Sequence, residues 1–244
     1  NQLGVASERI SVTGSLKFER TVSEQLKQRA VQLRQQLFPT RSIWIAASTH
    51  DNEENLLLDR LQQLQTNRPD LLLILAPRHP QRGISIVEYC NQQSISCVTR
   101  SSGLSCQSDT RVFLLDTLGE LMLFYGVADV AFVGGSLVKV GCHNLLEPAA
   151  WGIPMVFGGS VHNCQEIATG LIASNAAVSV EDVDQCIDTV QALLSNQAKC
   201  TDMGDNAINY FNKHQGTLEK TIEMIKLILA KPEVNNVVKD ITAR

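Results

Sequence analysis

The residues of this chain that could do chemistry cluster after apolar runs. Lys17, Ser48-Thr49-His50, Pro77-Arg78-His79, Asp116 to Glu120, Gly134 to Glu147 and Gly158 to His162 each follow a stretch that reads as a strand. In a parallel sheet such positions share the carboxyl edge, where open α/β folds bind ligands. The centre of the pattern is residues 132–154. An apolar run at 130–133 reads as a buried strand and a glycine-bearing loop follows it. A helix then starts at Asn144-Leu145-Leu146-Glu147 and is closed by Gly152 and Pro154. Strand, glycine loop and helix can set backbone N–H groups and a helix N-terminus beside an anion. The same arrangement also occurs where a chain merely turns.

Single residues within the clusters carry two readings each. Asn144 with Glu147 is close to a capping box, while a carboxylate at that place could instead grip the two hydroxyls of a ribose. Thr117-Leu118-Gly119-Glu120 fits the capping pattern better still. Gly119 lowers helix propensity there, but lets a ligand approach the backbone. Arg78, between Pro77 and Pro80, is either solvated or preorganised for phosphate. His50, His79, His143 and His162 lack metal-ligand spacing and read as loop hydrogen-bonders. Asp182-Val183-Asp184 reads as charge placement at a helix start rather than as a metal site. Nothing matches G-x-S-x-G or a Walker loop.

The elements that must position these residues follow from periodicity. Helical patterns cover 23–37, 53–64, 84–93, 119–125, 164–174, 183–194 and 205–230, the last broken near Gly216. Strand patterns cover 43–47, 71–76, 96–99, 112–115, 130–133, 155–157 and 176–180. A β-branched run at 10–13 ends at Gly14 and is expected as a first strand. Alternating strands and helices, with nearly continuous apolar strands, imply an α/β fold: a Rossmann-like parallel sheet with helices on both faces.

Bulk composition narrows the classes. The 244 residues suffice for a large core, and a net charge of −4 with dispersed Lys and Arg argues against nucleic acid. Seven scattered cysteines without a C-x-x-C pair read as a reduced, cytosolic chain. The longest apolar run, 71–76, is too short to span a bilayer. Asn1-Gln2-Leu3-Gly4 carries neither methionine nor a signal-peptide pattern, so a piece of a longer protein is expected.

From about Val12 to Ala177 the chain resembles the C-terminal half of the bacterial Kdo transferases, which add 3-deoxy-D-manno-octulosonic acid to lipid A precursors. The resemblance rests on Thr13-Gly14-Ser15-Leu16-Lys17-Phe18, Ala47-Ser48-Thr49-His50, Leu73 to Pro80, Gly119-Glu120-Leu121, Ala128 to Leu137 and His143 to Ala150. It implies the C-terminal domain of a GT-B glycosyltransferase, with an interdomain segment and first strand at 1–20, the donor domain at 21–215, and a C-terminal helix and tail at 216–244. It implies CMP-Kdo as donor, contacted by Pro77, Arg78, Leu118, Gly119, Glu120, Asn144, Leu145, Leu146 and Glu147. Lys17 would stabilise the transition state. The base, the acceptor site and the membrane-anchoring segment would lie in an N-terminal half. No metal or cofactor, a monomeric state and the cytoplasmic face of the inner membrane are further implications. Ser15, Leu118 and Gly141-Cys142 depart from the family's usual Asn, Met and Gly-Gly. A GT-B domain for a UDP- or GDP-sugar and a non-catalytic α/β interaction module are the competing readings.

Overall fold

Apolar runs too short for independent helices become the strands of one parallel sheet. The computed structural model describes residues 4–7, 10–19 and 21–230. The strands are β1 (Ser42–Thr49), β2 (Leu71–Pro77), β3 (Cys97–Thr99), β4 (Val112–Leu114), β5 (Val130–Val133), β6 (Met155–Gly158) and β7 (Ala177–Val180). They stand in the order β3-β4-β2-β1-β5-β6-β7, and every pair is parallel. Every residue of β2 is buried, as expected for a central strand covered on both faces.

Alternation along the strands divides the core into two layers. Trp44, Ala46, Leu73, Leu75, Val130 and Phe132 share one face with residues of α2 (Glu53–Asn67), α3 (Gly83–Gln92) and α7 (Val183–Leu194). On the other side α1 (Glu24–Leu37), α4 (Leu121–Tyr125) and α5 (Leu146–Trp151) pack in sequence. There Phe113 meets Phe38 edge-on at 5.2 Å and Phe124 stacked at 5.6 Å. α6 (Gln165–Ala173) leads into β7, and α8 (Gln197–Lys213) follows α7. At the amino edge Asp129 accepts from Ile43 N–H at 2.7 Å and from Arg34 at 3.0 Å, fastening α1 to the starts of β1 and β5.

Residues 22–210 form one compact unit, and residues up to 21 together with those from 211 form a second. In the second, Phe18 stacks on His214 at 4.9 Å, and Glu19 accepts from the N–H of Leu218 at the start of α9 (Thr217–Leu229). The β-branched run at 10–13, expected as a strand, has no regular structure; a 3-10 turn at Leu16–Glu19 follows it. Ordering a strand needs a neighbour to take its backbone bonds, and β-branched composition alone does not supply one.

Other departures are at helix starts. α8 begins eight residues before the expected 205, because 197–204 is polar on most of its surface and buries only Cys200, Met203 and its glycine approach. The break at Gly216 is where expected, with φ +85°. All seven cysteines are free thiols. Residues 1–3 and the tail expected over 231–244 lie outside the described residues.

Candidate functional site

The strand order reverses between β1 and β5. The chain leaves β1 for β2 on one side and leaves β5 for β6 on the other, so the loops after these two strands flank a crevice. Their backbones touch. A Cβ on Gly134 would lie 2.6 Å from both Ser48 O and Thr49 Cα, so only glycine fits there. Ser48 answers with a left-handed backbone, φ +56°, at a register shift between Ala47 and Thr49. That strain turns the chain sharply and delivers His50 to the crevice.

The glycine loop does not present itself to a ligand in the way the sequence suggests. Glu53, fully buried at the start of α2, accepts from the N–H groups of Gly135 (2.8 Å), Leu137 (3.0 Å) and His50 (3.2 Å). The N–H groups of Val140, Gly141, Cys142 and His143 bond to carbonyls of Val138, Gly135, Ser160 and Gly134. The expected anion cradle is thus filled by the protein's own carboxylate. Burial raises the Glu53 pKa, and the three N–H bonds oppose that rise. In the sequence Glu53 reads only as the start of a helix; two of its three partners, Gly135 and Leu137, lie some eighty residues away, beyond local patterns.

Side chains remain for negative charge. The rings of His50 and His143 are 5° from parallel with centroids 5.0 Å apart and meet edge to edge in nearly one plane, and His79 stands edge-on to His50 at 5.9 Å. Arg78 is exposed, and its N–H donates to Thr49 O at 2.9 Å. Arg78, His79, Pro80, Gln81, Asp116, Thr117 and Leu118 line an open cavity of about 540 Å³, a size suited to a small ligand. Leu118 is 83% exposed at the rim of this cavity. Gly119 has φ +83° and nothing within 4 Å of where a Cβ would stand, so a ligand could approach its backbone. A second cavity, between Leu61 of α2 and Ile95, contains none of the expected residues.

The two expected helix caps have different outcomes. Residues 117–120 are not a capping box: Thr117 Oγ1 donates to Glu120 at 2.5 Å, and α4 starts only at Leu121. Arg100 grips the same carboxylate through Nε (3.0 Å) and Nη2 (2.8 Å), and these bonds lower the Glu120 pKa. Asn144 does cap α5 as expected: Leu145 already has helical dihedrals (φ −71°, ψ −17°), and the Asn144 side chain accepts from Leu146 N–H at 3.1 Å. Leu145 and Leu146 are buried, so a ligand could meet only their backbone. Glu147 is half-buried. Burial first, then the Glu147 charge, pushes the enclosed Tyr125 phenol well above its ordinary pKa.

Pro77 is the buried last residue of β2. Lys17 is exposed and belongs to the smaller unit, whereas the other expected residues all belong to the larger one. Asp182 caps α7 by accepting from Gln185 N–H at 2.9 Å, and Asp184 pairs with Arg60. Among the described residues no group of three or more His, Cys, Asp or Glu could hold a metal ion, and no helix is long and apolar enough to cross a membrane.

No protein-family model matches the chain. It is 34% identical over 230 residues to the 3-deoxy-D-manno-octulosonic acid transferase of Haemophilus influenzae, covering 94% of this chain and 54% of that one. It is 32% identical to the enzyme of the same name from Bordetella pertussis, covering 88% and 51%. The chain therefore spans about half the length of the curated relatives it matches. Among solved structures it is similar to the C-terminal CMP-Kdo binding domain of WaaA from Acinetobacter baumannii. The identity is 34% and the TM-score 0.73, over 77% of this chain and 98% of that domain.

Proposed function

This chain belongs to the 3-deoxy-D-manno-octulosonic acid (Kdo) transferase family, and from that premise we propose that it binds CMP-Kdo as the donor half of a GT-B glycosyltransferase. The observation that carries the reading is the 34% identity across 98% of the Acinetobacter CMP-Kdo binding domain. The chemistry of the crevice agrees with it. Transfer breaks the bond between the anomeric carbon and the CMP phosphate, so charge grows on the departing phosphate and must be met there. Arg78 is exposed at the cavity and is proposed to take that phosphate. Pro77, Leu118 and Gly119 shape the wall against the nucleotide. Asn144 to Glu147 meet its ribose, Glu147 by its carboxylate and Leu145 and Leu146 by backbone. Glu120, held by Arg100 and Thr117, acts by fixing the 117–120 turn.

Lys17 is proposed as the group that stabilises the transition state. The base and the site for a lipid A precursor are assigned to the other half of the whole enzyme, as is contact with the cytoplasmic face of the inner membrane. Transfer is proposed to run without a metal, with cationic side chains taking the phosphate charge, in a monomer. Thermal unfolding with CMP, UMP and GMP tests the donor assignment. CMP at a hundred times its dissociation constant should stabilise the chain by about 2.7 kcal/mol, with less from the other two. An equal or larger shift with UMP or GMP would overturn the choice of CMP, and no shift with any would overturn nucleotide binding.

A further inference from the structure

Two imidazoles meet at the reversal of strand order. His50 follows β1, His143 ends the loop after β5, and their Nε2 atoms are 2.7 Å apart. At that distance one Nε2 donates its proton to the other, so in the neutral pair the donating ring has a bare Nδ1. An added proton enters at that Nδ1. The contact between the rings is then kept, and both Nδ1 atoms become N–H donors.

The groups facing the pair are mostly cationic: Arg78, His79 and Arg82 from the segment after β2. Glu53 of α2 is nearby but its carboxylate is shared among three backbone N–H groups, and Arg82 is held by Asp51 and Glu54. Among the described residues no carboxylate forms an ion pair with His50, His79, His143 or Arg78. Burial and this positive surrounding hold His143 down to about 4, and lower His50 as well. The glycine loop's N–H groups named above are committed to Glu53 and to backbone carbonyls, which leaves the side chains of this cluster to meet an anion.

We propose that the His50–His143 pair, with Arg78, is the seat of the donor's phosphodiester and takes up one proton as that anion binds. The proposal rests on the donor reading above. In the donor the phosphate is esterified on both sides and carries one negative charge at every relevant pH, so any proton taken up is the protein's.

The probe is therefore cytidine 5′-(methyl phosphate), with cytidine as the uncharged control, each titrated calorimetrically between pH 7.5 and 5.5. Affinity for the phosphodiester should rise as pH falls, by up to about tenfold per unit, while affinity for cytidine stays level. His143→Gln and His50→Gln should each flatten the phosphodiester profile; His143→Asn serves if His143→Gln does not fold. A level profile in the unmodified chain, or an unchanged slope in the folded variants, would overturn the role of the pair and leave the donor reading standing. Binding of neither ligand at any pH would overturn both.

Discussion

Arg78 and Arg82 are four residues apart after β2 and meet opposite surroundings. Arg82 bridges Asp51 at 2.7 Å and the fully buried Glu54 at 3.0 Å, so its charge is spent inside the protein. Arg78 stands at the cavity, with no carboxylate in ion-pair reach among the described residues. The same substitution should therefore read out differently at the two sites. Arg78→Ala is expected to weaken CMP by roughly 1.5–3 kcal/mol, the worth of a hydrogen bond to a charged group, and to spare cytidine. Arg82→Ala should instead lower stability by about 2 kcal/mol or more, because Glu54 is left buried without its partner. Calorimetry with both ligands and urea unfolding separate the two, and equal losses for CMP and cytidine would remove Arg78 from the phosphate. Glu147 can be resolved in the same way. Glu147→Gln should weaken CMP and leave 2′,3′-dideoxy-CMP unchanged, whereas equal effects on both ligands would reduce Glu147 to a partner of Tyr125. His143 adds a pH signature in the absence of ligand. Its folded pKa of about 4 lies below the 6.5 of a free imidazole. The unfolded chain then binds the proton first, so stability is full above about pH 6.5 and is lost as pH falls toward 4. His143→Gln should reduce that loss.

At the scale of elements, the loop after β5 owes its shape to a residue on another element. Glu53, the first residue of α2, holds Gly135 and Leu137 through both oxygens of one carboxylate. Glu53→Ala should cost about 1–3 kcal/mol of stability, since the buried N–H of Gly135 and the part-buried N–H groups of Leu137 and His50 lose their acceptor. It should also weaken CMP and cytidine alike, because it disorders a wall of the site and not a charge contact. A selective loss of CMP would instead mean that Glu53 acts on the phosphate. This division marks what the sequence makes legible. β1, β2 and β5 are readable because strands buried on both faces need continuous apolar runs, and 71–76 has no other explanation. The clustering of Arg78 and Leu118 on one cavity is readable too, because in a parallel sheet loop position follows from strand order. The helix starts were less legible. Asn144 caps α5 as its local pattern implies, but Thr117 turns to Glu120, whose carboxylate Arg100 grips, a choice set by a neighbour rather than by local propensity. The commitment of the glycine loop to Glu53, and the meeting of His50 with His143, depend on contacts between segments about ninety residues apart. No local pattern carries such information.

At the scale of the whole molecule, the proposed function makes this chain one half of a two-domain enzyme. The chain spans 54% of its Haemophilus relative and 51% of its Bordetella relative. In the proposed function its residues bind and stabilise the departing nucleotide. Arg78 and Lys17 are donors without acceptor capacity, suited to charge stabilisation and not to removing a proton from an acceptor hydroxyl at neutral pH. Loss of a positioned general base typically costs 10²–10⁴-fold, and loss of acceptor orientation adds to that. The 244-residue chain should therefore bind CMP and show no transfer from CMP-Kdo to a lipid A precursor. Supplying the amino-terminal half of a Kdo transferase, fused or as a separate chain, should restore transfer. In that restored enzyme Lys17→Ala should lower kcat far more than it weakens CMP, because a group that acts on charge formed during bond breaking contributes little to the ground state. A parallel fall in kcat and CMP affinity would make Lys17 an ordinary binding residue. Transfer by the 244-residue chain at a rate near that of the restored enzyme would show that the base resides on this half, and the assignment of roles between the halves would have to be reversed.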